Sequence, residues 1–221
     1  MGKTKDVLVN NDGTCTFTFK DDACGEDGVF NPGANAVGLT IDGKGRASLL
    51  LSRHFFPLLT EGGVSNHYIS ANLENGTMTC RHLKILPVEF IWRDKAWGSF
   101  CKMYGAEQGY PLGGLVEATL KDDALGDPRL NREACVLLGK MTDQQYEECD
   151  ALTRKIGGIL QKELAKYDYT LIDFKVEFGL DASGQIRLAD EVSGDIWRVL
   201  DKTSKSVDPV TCAKTICRED Y

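Results

Sequence analysis

Ile172, Phe174, Val176 and Phe178 alternate with Asp173, Lys175 and Glu177 along Thr170–Gly179. A period of two marks a strand with one buried face. The other face is unusual, because it carries acid, base and acid in succession. After a turn-like Asp181-Ala182-Ser183-Gly184, a second short strand ends in Asp190-Glu191. A hairpin would bring Glu177 close to Asp190. Clustered carboxylates raise one another's pKa unless a cation lies between them. An oxygen-rich pair of this kind suits Mg²⁺, which takes one or two carboxylates plus substrate phosphates. The plainer alternative is a solvated strand face with an ordinary ion pair.

Elsewhere the pattern changes period. Val7–Val9 and Thr14–Lys20 are short alternating runs joined by Asn10-Asn11-Asp12-Gly13, a hairpin turn signal. Gly25–Gly38 is rich in glycine and reads as a mobile loop. Ala47–Thr60 predicts a helix with Leu50, Leu51, Phe55, Leu58 and Leu59 on its apolar face, stopped by Gly62-Gly63. Met78–Trp92 is strand-like, with a break expected at Pro87. Thr142-Asp143-Gln144-Gln145 is a capping-box pattern. It opens an amphipathic helix to about Tyr167, with Cys149, Leu152, Ile156, Leu160 and Leu164 on one stripe. The segment after Lys202 is polar and aperiodic, and loose docking is expected. The elements predict an α+β protein. A β-rich N-terminal lobe (1–86) meets an α+β C-terminal lobe (87–202) through a connector near Leu83–Glu89, and a tail covers 203–221.

Composition narrows the function. The chain has 221 residues, 42% of them hydrophobic, enough for a real core. The net charge of −7 argues against nucleic-acid and anionic-membrane partners. It leaves anionic small molecules open, since a site can be locally basic. No apolar run approaches a membrane span. The N-terminus lacks a signal core and, with Asp6, the myristoylation pattern. Eight cysteines include no C-x-x-C pair, and three histidines are scattered, so reduced cytoplasmic thiols are expected rather than zinc or a disulfide scaffold.

Several charged groups stand out. Gly2-Lys3-Thr4-Lys5 can set ammonium groups against phosphates. Arg93-Asp94-Lys95-Ala96-Trp97-Gly98-Ser99 follows a strand and combines a bidentate donor with a hydroxyl. Leu120-Lys121-Asp122-Asp123 with Asp127-Pro128 forms another charged loop, and Arg198 returns a cation after the acidic hairpin. Each has an ordinary structural alternative in a turn or a solvated loop. No nucleophilic Ser, Cys or His sits in an elbow or triad context, so the inventory suits direct phosphoryl transfer.

Taken together these pieces resemble the SAICAR synthetase family from Gly2 to about Asp201. The resemblance rests on GKTK (Gly2–Lys5), FKDD (Phe19–Asp22), GEDG (Gly25–Gly28), LPVEFIWRDKAWGS (Leu86–Ser99), LKDD with DP, DFKVEFG (Asp173–Gly179) and LADEVSGD followed by Arg198. Ser193-Gly194-Asp195 departs from the Ser-Pro-Asp of many members. The resemblance implies a two-lobed fold related to kinases and ATP-grasp enzymes. It implies a ligase that joins L-aspartate to carboxyaminoimidazole ribonucleotide (CAIR) with ATP and Mg²⁺, through an acyl phosphate. It further implies that Lys3 and Lys5 contact ATP phosphates, and that Ile85, Leu86 and Glu89 bound the adenine and ribose. Glu177 and Asp190 would bind Mg²⁺. Arg93, Ser99 and Arg198 would hold CAIR. Lys175 would face the reacting carboxylate, with Lys121 and Asp127 at the third corner. A homo-oligomer is compatible with this reading. A small-molecule kinase on a related fold and a non-catalytic nucleotide-binding paralogue are the alternatives.

Overall fold

The computed structural model describes residues 2–26, 28–34 and 36–220. In chain order its elements begin with β1 (Lys5–Val9), β2 (Thr14–Phe19), β3 (Asp22–Glu26), β4 (Val29–Phe30), β5 (Val37–Thr40) and α1 (Lys44–Glu61). Then come β6 (Tyr68–Asn72), β7 (Thr77–Arg81), β8 (Lys84–Lys95), α2 (Ser99–Tyr104), β9 (Pro111–Leu120) and α3 (Arg132–Leu137). The rest is α4 (Asp143–Ala165), β10 (Thr170–Leu180), β11 (Ile186–Ala189), β12 (Trp197–Leu200) and α5 (Pro209–Ile216). The strands form a four-stranded sheet in the order β1-β2-β7-β6, a three-stranded sheet β4-β3-β5, and a sheet β11-β10-β8-β9 whose β12 also pairs with β10.

The long sheet organises the molecule because β10 is shared. Along one edge it pairs antiparallel with β8, and along the other with β11 and then β12. The expected alternation sends Phe174, Val176 and Phe178 into the core. They meet Phe90 and Trp92 of β8, with Trp92 stacked on Phe174 at 5.5 Å between ring centroids. Ile172 is also buried, but a bulge between Leu171 and Asp173 in the pairing with β12 shifts the register and brings Leu171 into the same core. The charged face is not left to solvent as a half-buried strand would be. Asp173 is 3% and Glu177 8% exposed.

The two helices that the apolar stripes predict both form, as α1 and α4. Thr142 and Gln145 complete a reciprocal capping box at α4, and Cys149, Ile156, Leu160 and Leu164 are buried. Helix α1 starts three residues earlier than the apolar pattern predicts, because Asp21 accepts from the N–H groups of Gly43 (3.3 Å) and Gly45 (2.8 Å). This cap comes from a residue distant in sequence, so no local pattern signals it.

Three expectations are corrected. Pro87 does not break the strand. It lies in a bulge of β8 opposite Glu177–Gly179, where no ladder donor is needed, and the true break is at His82-Leu83. The Gly25–Gly38 stretch is not simply a loop, since its described residues carry part of β3, all of β4 and the first residues of β5. The segment after Lys202 is not loosely docked. Asp208 caps α5 through Val210 and Thr211, Pro209 takes the first turn, and Cys212, Ala213 and Ile216 are buried beside α1.

Gly157 of α4 leaves room for the indole of Trp92. A Cβ there would lie 2.6 Å from Trp92 Nε1. Gly157→Ala should therefore destabilise by about 1–3 kcal/mol through overpacking, exceeding the roughly 1 kcal/mol gain in helix propensity. A urea midpoint below that of the unaltered chain is the expected result, and an equal or higher midpoint would contradict it.

Candidate active site

Strand pairing converts the charged alternation of β10 into a lattice of ion pairs. Asp173 lies opposite Arg93, Lys175 opposite Ile91, and Glu177 opposite Glu89. On the far side of β8, Glu117 lies opposite Ile91 and Thr119 opposite Glu89. Arg93 is 2% exposed and donates to Asp173 Oδ2 (2.6 Å), Glu117 Oε2 (2.6 Å) and Ser99 Oγ (3.3 Å). Arg198 Nη1 donates to the same Asp173 oxygen at 2.7 Å, and its Nη2 to Asn31 Oδ1 at 2.9 Å. Lys175 Nζ reaches diagonally to Glu89 Oε1 at 2.8 Å. Buried charges survive only when paired, and here the charged partners come from neighbouring strands, with Ser99 and Asn31 adding neutral acceptors.

Glu177 and Glu89 face one another directly, an arrangement of like charges that disfavours a bare sheet. Burial pushes the Glu177 carboxyl up, and repulsion from Asp190 adds to it. Lys121 answers with an ion pair to Glu177 Oε1. The β10–β11 register places Glu177 against Ala189, so Asp190 is the next residue past the pair. Asp190 has φ 65, a left-handed backbone unusual for a residue other than glycine, and its carbonyl accepts from His67 Nε2 at 2.7 Å. Burial holds the His67 ring neutral, its pKa lowered to about 4. Lys5 reaches Asp190 Oδ1 at 2.6 Å and also pairs with Glu191. Burial opposes the Asp190 charge, yet Lys5 outweighs it and holds that carboxyl below its usual range. Glu191, 3% exposed, is pushed up to about 7, by burial first and then by Asp190 and Asp195 against the pull of Lys5.

These groups line two adjoining cavities. One, of about 470 Å³, is lined by Lys3, Lys5, Ile85, Glu89, Lys121, Asp127, Lys175, Glu177 and Asp190, with Val7, Val9 and Phe17 on an apolar wall. The other, of about 200 Å³, is lined by Glu89, Arg93, Ser99, Asp127, Lys175 and Arg198. Glu89, Asp127 and Lys175 belong to both. Every residue to which the resemblance gives a role lines one of these adjoining cavities except Leu86, whose side chain lies in the core while the neighbouring Ile85, 45% exposed, lines the cleft. Lys3 pairs with Asp123 at 2.9 Å, and Asp127 (φ 48) accepts from the Asp122 N–H at 2.9 Å.

The sequence patterns did not single out Glu191, His67, Asn31, Glu117, or the buried pair Lys44–Asp195 (2.6 Å) as parts of this site. Glu191 and Asp195 lay in the LADEVSGD stretch, but only folding brings Lys5 and Lys44 to them. Among the described residues no group of three or more His, Cys, Asp and Glu is arranged to hold a metal alone. The oxygen donors Glu177 and Asp190 instead form a two-carboxylate edge beside lysines.

Such a cleft, with lysines and arginines gathered about buried carboxylates, has the form of an enzyme site for small molecules. The comparisons narrow the class. The SAICAR synthetase profile matches residues 1–221. A phosphoribosylaminoimidazole-succinocarboxamide synthase of Clostridium tetani is 44% identical over 97% of this chain and 96% of its own. One of Finegoldia magna is 36% identical over 99% and 90%. A solved SAICAR synthetase in complex with ADP superposes with a TM-score of 0.87 at 32% identity, covering 100% of this chain and 96% of that one. The chain belongs to the SAICAR synthetase family, and with it to the ligases of purine biosynthesis that carry the phosphoribosylaminoimidazole-succinocarboxamide synthase activity. No helix among the described residues is long and apolar enough to cross a membrane.

Lys5→Met leaves Asp190 and Glu191 without their buried partner. Breaking such a pair should lower stability by about 3–5 kcal/mol at pH 8. Without Lys5 the folded carboxylates bind protons more tightly than the unfolded ones, so the deficit should shrink as pH falls towards 5. Urea unfolding at both pH values checks this, and a deficit that grows on acidification would contradict it.

Proposed function

We propose that the larger cavity takes ATP and the smaller one CAIR, with the reacting carboxyl of CAIR held where Lys175 borders both. The observation that carries this reading is the sharing of Lys175, Glu89 and Asp127 between the two cavities. A phosphoryl donor and its acceptor must meet in line at one point. The apolar wall of Val7, Val9 and Ile85 suits an adenine base. Lys3, Lys5 and Lys121 supply ammonium groups for the phosphates. Arg93, Ser99 and Arg198 offer donors to the ribotide phosphate and ring of CAIR. The two-lobed description, divided near 86–87 with a tail from 203, and kinship with kinases and ATP-grasp enzymes belong to the same reading, as does a homo-oligomeric state.

Glu177 and Asp190 fit Mg²⁺. They offer hard oxygen donors, they repel one another, and a nucleotide would supply the remaining oxygens. When bound, the ion would neutralise charge on the transferring phosphoryl group. With the nucleotide and its metal bound, Lys5 and Lys121 would have phosphate partners in place of the carboxylates they now hold. Lys175 steadies charge at the CAIR carboxyl as it becomes an acyl phosphate. Loss of that intermediate to water is resisted by the burial of the surrounding side chains and by Asn31, which bonds Arg198 of the smaller cavity. The amine of L-aspartate then displaces phosphate to leave the succinocarboxamide.

This reading predicts ADP release that requires CAIR, L-aspartate and a divalent cation together. Glu177→Gln should cut turnover by about 100-fold or more. It should leave the ligand-free melting temperature within a few degrees, because Lys121 is 44% exposed and the lost charge was itself repelled by Asp190. A variant with unaltered turnover would remove Glu177 from the metal site. Arg198→Gln should raise KM for CAIR by roughly 10–100-fold, the worth of one charged hydrogen bond, with KM for ATP unchanged. Equal effects on both KM values would separate Arg198 from the CAIR end.

A further inference from the structure

Asp195 is an acid of the cleft to which the scheme above gives no part. Its side chain is 6% exposed. One oxygen, Oδ2, is fixed by Lys44 Nζ at 2.6 Å and by the Ser48 hydroxyl at 3.1 Å, both on α1. Lys44 is wholly buried and is held in turn by the Asp22 carbonyl at 2.8 Å. The carboxylate is thus locked in one orientation. Its second oxygen, Oδ1, is buried and accepts no hydrogen bond from any described residue. A buried acceptor left without a donor is destabilising, and in native structures such exceptions call for a reason.

The location supplies that reason. Asp195 lines the larger cavity beside Glu191 and Ile196. The carbonyl of Ile196 accepts from the Lys175 N–H at 2.9 Å, so Asp195 sits one residue from the strand position that borders both cavities. A carboxylate can only accept hydrogen bonds, and it repels anions. Phosphates and carboxylates are therefore unsuited to Oδ1, whereas an amine that must be delivered to the acyl carbon suits it.

We propose that Asp195 Oδ1 receives the attacking amino group of L-aspartate. The inference rests on the acyl-phosphate reading given above. The ammonium of L-aspartate loses two protons on becoming an amide nitrogen. One passes to Asp195, which frees the nitrogen lone pair to form the C–N bond. The C–O bond to phosphate then breaks, phosphate leaves with the electron pair, and the second proton goes to that phosphate. Water later takes the proton from Asp195. Lys44 and Ser48 act as positioning residues that hold the carboxylate through Oδ2.

Hydroxylamine separates this role from a purely structural one, because it attacks acyl phosphates as a neutral amine and carries no carboxylates. Full-length Asp195→Asn is assayed with ATP, Mg²⁺, CAIR and either L-aspartate or hydroxylamine, following ADP release and product. The rate with L-aspartate should fall about 100-fold or more, while that with hydroxylamine stays within about threefold and KM for CAIR holds. Equal losses with both nucleophiles, or a raised KM for CAIR with the aspartate rate retained, would overturn the assignment. If the unaltered chain gives no hydroxamate, the acyl-phosphate reading itself fails and this inference with it. The single substitution would leave Lys44 as an unpaired buried charge, so the double variant Lys44→Gln with Asp195→Asn, which removes both charges, is run alongside. It should show the same selective loss, and undiminished aspartate dependence in it would contradict the proposal.

Discussion

The constraint on which this site depends is the placing of like charges opposite one another in the middle of a sheet. Glu89 and Glu177 face each other across β8 and β10, and both are buried. A sheet gains nothing from that pairing, and it persists because cations from three directions surround it. Lys175 comes from the same strand, Lys121 from the loop after β9, and Lys5, on β1, holds the neighbouring Asp190. The compensation is local and exchangeable. In the proposed function these lysines would turn to phosphates once a metal took over the carboxylates. Arg93 and Arg198, clamped on Asp173, are the stiffer part of the same lattice.

The fold serves that lattice from behind. Phe174, Val176 and Phe178 anchor the reverse face of β10 against Phe90, Trp92 and α4, so the charged face cannot rotate away from the cleft. Helix α1 covers the junction between the sheets. Its first turn carries Lys44, which links Asp195 to the Asp22 carbonyl of β3.

Much of this was legible in the sequence because it is local. Strict alternation over Thr170–Gly179, the turn at Asp181–Gly184 and the capping box at Thr142 are short-range signals, and each corresponds to an element of the structure. The motifs that carry the family resemblance put nearly all the chosen residues in one cleft. What was not legible depends on contacts distant along the chain. The cap that Asp21 gives to α1, the seat of α5 beside it and the Lys44–Asp195 pair join segments that no periodicity connects. Pro87 misled because its usual meaning as a strand breaker gives way to a bulge. Ile85 and Leu86, as neighbours on a strand, face opposite ways, so Ile85 lines the cleft and Leu86 the core.

The central claim, that Glu177 and Asp190 exchange their lysines for a metal that carries the nucleotide, is tested most directly by a crystal structure with ADP, Mg²⁺ and CAIR bound. The account predicts an ion ligated by both carboxylates, with Lys5 and Lys121 turned to phosphate oxygens and CAIR between Arg93, Ser99 and Arg198. A nucleotide seated elsewhere, or a metal bound away from these carboxylates while both lysine pairs persist, would contradict it.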